Sequence, residues 1–166
     1  MNDILIECVP NISEGRNLDV INSIVDSARQ IEGVKVLGCE PDSDYNRTVI
    51  TIAGDPASVT KGAYAIILKS LELIDMRSHS GNHPRMGAVD VCPFVPLSDN
   101  SMKYCINSAK ELSKLIGVKV PHFFYGNASS SEQRSSLSSL RKKEYEGLES
   151  RFNGDEWGDE DTRMPD

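Results

Sequence analysis

VKVLGCEPDSDYNRTVITIAG, residues 34–54, is the stretch whose reading decides the fold. It holds two short apolar runs, VKVLGCE (34–40) and RTVITIAG (47–54), separated by the turn-forming PDSDYN (41–46). The second run alternates polar and apolar side chains and is rich in β-branched residues, the period-2 pattern of a half-buried strand. Two strands joined by a short polar turn read as an antiparallel hairpin. Helical periodicity flanks the pair on both sides. Before it, LDVINSIVDSARQI (18–31) places Leu18, Ile21, Ile24, Val25, Ala28 and Ile31 on one stripe, with Asn17 as N-cap and Gly33 as the stop. After it, Asp55-Pro56 opens a second helix that runs to about Ile74, with proline at the tolerated first position.

Further out, DILIECV (3–9) reads as a strand that Pro10 ends. VDVCPFVP (89–96) reads as a strand with Pro93 inside it, hence an edge strand or a bulge. A third helix is expected over about 100–116, closed by Gly117, and VPHFFYG (120–126) reads as a fifth strand. His122 lies in that run beside two phenylalanines, where a half-buried packing role is expected. The order is β-α-β-β-α-β-α-β. The expected class is therefore α+β: a mixed, mostly antiparallel sheet with a ferredoxin-like β-α-β-β-α-β core plus an extra α-β unit, helices mainly on one face. The other face would be solvated or covered by a partner. Residues 1–127 form the expected domain. Residues 128–166 read as a connector, serine-rich with one short possible helix, then acidic and aperiodic.

Composition narrows the function classes. The 166 residues suit one domain, and 39% hydrophobic with 26% charged is ordinary globular usage. A net charge of −7 opposes nucleic-acid binding, which needs a basic footprint. No apolar run approaches the ~18 residues of a membrane span. The N-terminal MNDILIECVPN carries acids and no basic stretch, so no signal peptide is expected. The four cysteines show no C-x-x-C spacing, and reduced thiols in a cytoplasmic protein follow.

The chemistry concentrates in DMRSHSGNHPRMGAVD (75–90), which holds His79 and His83, two of the three histidines. Their i, i+4 spacing would suit a metal on a helix, with Asp75 or Asp90 as a third ligand, but Gly81 and Pro84 interrupt a helix there. No metal is expected. An acid/base site fits better: a histidine that titrates near neutrality, an arginine suited to carboxylates, and glycines that let backbone approach a ligand. The same composition also suits a solvated loop. In EPDSDYNR (40–47), Glu40, Asp42 and Asp44 occupy alternate positions and would share one side of an extended chain, fit to meet a cation or simply to face water.

Four stretches together resemble the formiminotransferase family: ECVPNISEG (7–15), NRTVITIAG (46–54), LIDMRSHSGNHPRMGAVDVCPFVP (73–96) and EYEGL (144–148). The resemblance spans essentially the whole chain and matches the N-terminal half of that family's transferase unit. It implies a two-subdomain α/β protein that holds folate between its halves. It also implies an enzyme, a formimidoyltransferase that moves a formimino group from N-formiminoglutamate to tetrahydrofolate in histidine breakdown. The family's catalytic histidine, within H-P-R-M-G, maps onto His83. Beside it, Glu40, Asp42, Asp44, Asn46, Arg47, His79, Asn82 and Arg85 are the candidate substrate-binding residues, on the chemistry of their side chains. Asn82 stands where the family carries a glutamate. The implied partners are folate and N-formiminoglutamate, with tetrahydrofolate as co-substrate, no metal, no nucleic acid and no membrane. A homodimer or packing against a second subdomain is also implied. The alternative is a non-catalytic one-subdomain protein that binds folate or a partner.

Overall fold

In the computed structural model, residues 4–99, 101–117, 120–129, 136–142 and 144–148 are described. Strands β3 (Lys35–Asp42) and β4 (Arg47–Gly54) pair antiparallel from Lys35↔Ala53 to Asp42↔Arg47. The hairpin supplies one edge of the sheet, β3, and one of its two central strands, β4. β3 runs two residues further than the sequence indicates and takes Pro41-Asp42 from the expected turn. The reason is local. Asp42 Oδ1 accepts from the backbone N–H of Asp44 and Tyr45, at 3.0 and 2.9 Å, and Asn46 closes the reversal at φ +50°.

The first strand is split into β1 (Ile6–Cys8) and β2 (Asn11–Ile12), because Pro10 has no N–H for the ladder. The strand at 89–96 is split likewise into β5 (Val89–Val91) and β6 (Phe94–Pro96) at Pro93. Both halves of each partner match up: β1 pairs β4 and β6, and β2 pairs β4 and β5, all antiparallel. The β5/β6 strand is therefore an edge, as its proline predicts. With split strands counted once, the order is that of a ferredoxin-like sheet, with the first strand between β4 and the edge.

Helices α1 (Leu18–Arg29), α2 (Pro56–Leu73) and α3 (Met102–Ile116) cover one face. Asn17 and Asp55 cap the first two through side-chain oxygens, as their positions predict. The core joins Ile6, Cys8, Ile12, Ile50 and Ile52 of the sheet to Ile21, Ile24, Val25 and Ala28 of α1, Val59, Ala63 and Ile66 of α2, and Cys105, Leu112 and Ile116 of α3. Each fully buried isoleucine contributes about 2 kcal/mol of transfer free energy. Leu18 departs from the expected stripe and is exposed, as the first residue of its helix beyond the sheet's reach. Gly33 does not end α1. That helix stops at Arg29 with Gln30 as C-cap, and Gly33 serves the following reversal at φ +83°.

Residues 120–126 do not form the expected fifth strand. His122 makes one isolated bridge, and the chain turns through a 3₁₀ segment at Gly126–Ala128. The apolar run packs instead on the end of α3. Ser113 Oγ donates to His122 Nε2 at 2.6 Å, His122 Nδ1 donates to the Val120 carbonyl at 2.9 Å, and Phe124 meets the ring edge-on. The extra unit thus supplies a helix without its strand, and His122 has the packing role expected of it.

All four cysteines are free, Cys8 and Cys105 buried and Cys39 and Cys92 partly so. Among the described residues no helix is long and apolar enough to cross a membrane. The open face of the sheet carries the alternate residues, among them Glu7, Val49, Thr51, Ala53 and Val95. At its margin Leu5 and Leu97 are 50% and 53% exposed. Within the expected connector, α4 (Leu137–Leu140) and a 3₁₀ turn at Tyr145–Gly147 form. The acidic stretch at 152–166 lies outside the described residues.

Candidate active site

Three chain segments meet at the hairpin end of the open face: residues 13–16, the turn 43–46, and the histidine loop 75–88. Glycine makes the approach possible. A Cβ on Gly15 would lie 2.1 Å from the Asp42 carbonyl oxygen, and one on Gly81 would lie 2.4 Å from that of Tyr45. Asn46 ties the three together. Its Oδ1 accepts from Gly15 N at 2.9 Å, its Nδ2 donates to the Ser80 carbonyl at 2.9 Å, and its own carbonyl receives His79 Nε2 at 3.1 Å. Buried and fully bonded, Asn46 is placed as the hub of the site. Ser13 adds a backbone bond to Ala88 and a hydroxyl bond to the Gly87 carbonyl, at 2.9 and 2.7 Å.

The two histidines of the loop carry different loads. His79 is held from both sides: Nε2–H donates to Asn46 O, and Nδ1 accepts from Arg85 Nε at 3.1 Å. His83 Nε2 lies 2.6 Å from Arg47 Nη1. A guanidinium only donates, so this Nε2 is the unprotonated nitrogen. Burial, then the charge of Arg47, holds the His83 imidazole below its ordinary range; a bond to the Pro84 backbone and the charge of Asp90 oppose this more weakly. The proline has no N–H, so its carbonyl accepts, and the ring proton sits on Nδ1. Tyr45 meets the ring edge-on at 5.9 Å.

Arg85 is not free to meet an anion. Its Nη1 and Nη2 pair with Glu144 at 2.9 Å and Glu146 at 2.7 Å, and its side chain is 15% exposed. Arg141 pairs with Asp90, which also accepts from Met86 N at 2.9 Å. These pairs hold Arg141, Glu144 and Glu146 against the histidine loop, and those three with Arg85 border an open groove of about 630 Å³. Arg47 differs. Among the described residues no carboxylate lies within ion-pair reach of it, and its buried Nε has no partner.

The acidic turn does not act as a unit. Glu40 and Asp42 lie on the open face, opposite Val49 and Arg47, and Asp42 is committed to capping the reversal. Asp44 lies in the turn itself and is exposed, its carbonyl receiving the backbone N–H of Asn82 at 3.3 Å. The Asn82 side chain is exposed. Among the described residues no three His, Cys, Asp or Glu side chains converge to hold a metal. Sequence reasoning missed the partners Glu144 and Glu146 as site residues; the only signal was their place in the EYEGL stretch. Asp90 entered as a candidate metal ligand, and the structure gives it an arginine.

Residues 5–166 match the family described as the formiminotransferase domain, N-terminal subdomain. The chain is 44% identical over 155 residues to the formimidoyltransferase-cyclodeaminase of Dictyostelium discoideum, covering 92% of this chain and 29% of that one. It is 41% identical over 157 residues to the glutamate formimidoyltransferase of Thermoplasma acidophilum, and 37% identical over 155 residues to that of Streptococcus pyogenes serotype M1. Each of those two alignments covers 92% of this chain and 52% of the relative, so the chain spans about half their length.

Proposed function

This chain belongs to the formiminotransferase family through its N-terminal subdomain, and on that premise we propose that it supplies the base-bearing half of a glutamate formimidoyltransferase. The substrates are N-formiminoglutamate and tetrahydrofolate, bound between the open face of this sheet and a second subdomain. The observation that carries the reading is His83: its Nε2 is an acceptor that meets Arg47, an arginine with no carboxylate partner among the described residues.

N5 of tetrahydrofolate attacks the amidine carbon of the formimino group, and His83 Nε2 accepts the N5 proton. The tetrahedral intermediate collapses with cleavage of the bond to the glutamate nitrogen, which takes the proton back from the imidazolium. Acid/base transfer of this kind contributes about 10²–10⁴ in rate. Arg47 holds a substrate carboxylate through its fork. Glu40, on the same face, is the carboxylate we assign to stabilise the cationic formimino group. Asn46, His79 and Arg85 set the loop rather than touch substrate.

The test is formimino transfer to tetrahydrofolate by a protein carrying both subdomains, compared with its His83→Ala variant. A loss of at least about 10²-fold in kcat is expected. Activity within tenfold of the parent overturns the base assignment. Calorimetric binding of tetrahydrofolate without turnover in the parent favours the non-catalytic binding module.

A further inference from the structure

His83 is oriented as a base but is not free to act as one. Its only lone pair, on Nε2, already accepts from Arg47 Nη1 at 2.6 Å, and a guanidinium does not surrender that proton. The pocket between Tyr45, Arg47, His79, His83, Arg85 and Asp90 is too tight to take a water. A substrate nitrogen reaches Nε2 only if the guanidinium moves.

Arg47 is also the side chain with most to gain from moving. Its Nε is buried without a partner, and no described carboxylate pairs with it, whereas Arg85 and Arg141 are each held by acidic side chains. A carboxylate that accepts from Nε and one Nη satisfies the orphaned N–H and gives the fork its preferred bidentate partner. The Nη that bonds His83 cannot serve both.

Resting on the reading of His83 as the base, we infer that Arg47 is a substrate-operated catch. Its guanidinium occupies the His83 lone pair until a substrate carboxylate engages the fork, draws it off Nε2 and releases the base. The coupling is electrostatic as well as steric. Four groups act on the ring from the elements around it: Arg47 on β4, Asp90 on β5, Arg141 after α4, and Tyr45 in the turn. His79 and Arg85 line the same pocket. Of the cations that depress the ring's basicity, Arg47 is the larger contributor, so pairing it with a carboxylate strengthens the base as it is uncovered. Both substrates offer carboxylates, the amino-acid donor and the glutamyl tail of the folate.

The experiment follows the His83 side-chain titration by ¹⁵N NMR in this chain, with L-glutamate and with p-aminobenzoyl-L-glutamate as probes. Either probe is expected to raise the His83 midpoint by about half a unit or more, and the one effective at lower concentration identifies which carboxylate works the catch. Arg47→Gln is expected to start from the raised midpoint and to show no further shift. Arg47→Lys keeps the cation without the fork; it is expected to lose at least about half of the shift and serves if Arg47→Gln does not fold. A shift that persists in Arg47→Gln, or a parent midpoint that neither probe moves, overturns the catch. The base assignment is judged separately: a His83→Ala enzyme that keeps its activity removes that reading even where the NMR shift is seen. An absent shift with activity lost in His83→Ala removes the catch alone.

Discussion

His79 and His83 lie four positions apart yet carry their protons on different nitrogens, and the difference separates a histidine held by backbone and Arg85 from the one proposed as the base. A carbonyl acceptor on one side and an arginine donor on the other fix His79 as the Nε2–H tautomer, with both nitrogens spent. His83 keeps Nε2 as an acceptor, and burial with Arg47 beside it makes protonation harder in the folded protein than in the unfolded chain. The folded value lies below the ordinary ~6.5, so the base stays neutral to a lower pH than a free histidine. The acid limb of kcat/KM is therefore expected below about pH 6.5, with little change up to about pH 8. The same group withdraws stability as pH falls through ~6.5 toward its folded value, because there the unfolded chain binds more protons. A profile measured between about pH 5 and 8 whose acid limb turns at or above 6.5 would falsify this placement of His83. At this scale the residues of 75–90 suited an acid/base site and a solvated loop alike, and only the resemblance to the formiminotransferase family singled out His83. The sequence did not show which arginine is spent and which is spare, since Arg47 and Arg85 differ only in partners brought from elsewhere in the fold.

At the scale of elements, much of the fold was readable because its signals are local. Period-2 alternation marks β4, Asn17 and Asp55 mark helix starts, and Pro93 marks an edge strand; Pro10 read as the end of its strand, whereas pairing resumes beyond it at Asn11–Ile12. The run 120–126 misled because a short apolar segment reads the same whether it joins a sheet or packs on a helix end. The stacking of the three site segments was also hidden, since it depends on close approaches rather than periodicity. Gly81 tests it. A Cβ there would sit 2.4 Å from the Tyr45 carbonyl oxygen and 2.9 Å from Asn46 Cβ, neither of which is a flexible side-chain end. Gly81→Ala is expected to destabilise by about 1–3 kcal/mol and to part the histidine loop from the hairpin turn. Gly87→Ala is the matched control, because its Cβ would meet only the Val89 carbonyl oxygen at 3.9 Å. Urea unfolding of the two proteins decides it, and equal stabilities would show that the loops are not stacked this tightly.

Across the whole molecule, the site is closed by charge pairs that join residues 51 to 61 positions apart: Asp90 to Arg141, and Arg85 to Glu144 and Glu146. Hydrophobic patterning reports burial along one element and is blind to such pairings, so the serine-rich, charged stretch gave no sign of the contacts Arg141, Glu144 and Glu146 make with the histidine loop and Asp90. The two clasps differ in energy because they differ in exposure. Glu146 is 64% exposed and Glu144 37%, so water and salt screen their attraction to Arg85, and such pairs are worth about 0–1 kcal/mol each. The Asp90 side chain is 2% exposed, and its charge offsets that of a largely buried Arg141 whose Nε already lacks a partner. Asp90→Asn leaves that cation without its counter-charge, at an expected cost of about 3 kcal/mol. Glu144→Gln with Glu146→Gln is expected to cost under about 2 kcal/mol, and less as salt is raised. The comparison is made by urea unfolding at low and high ionic strength. If the double glutamine variant proves the more damaged of the two, the outer clasp and not Asp90 holds this segment on the histidine loop.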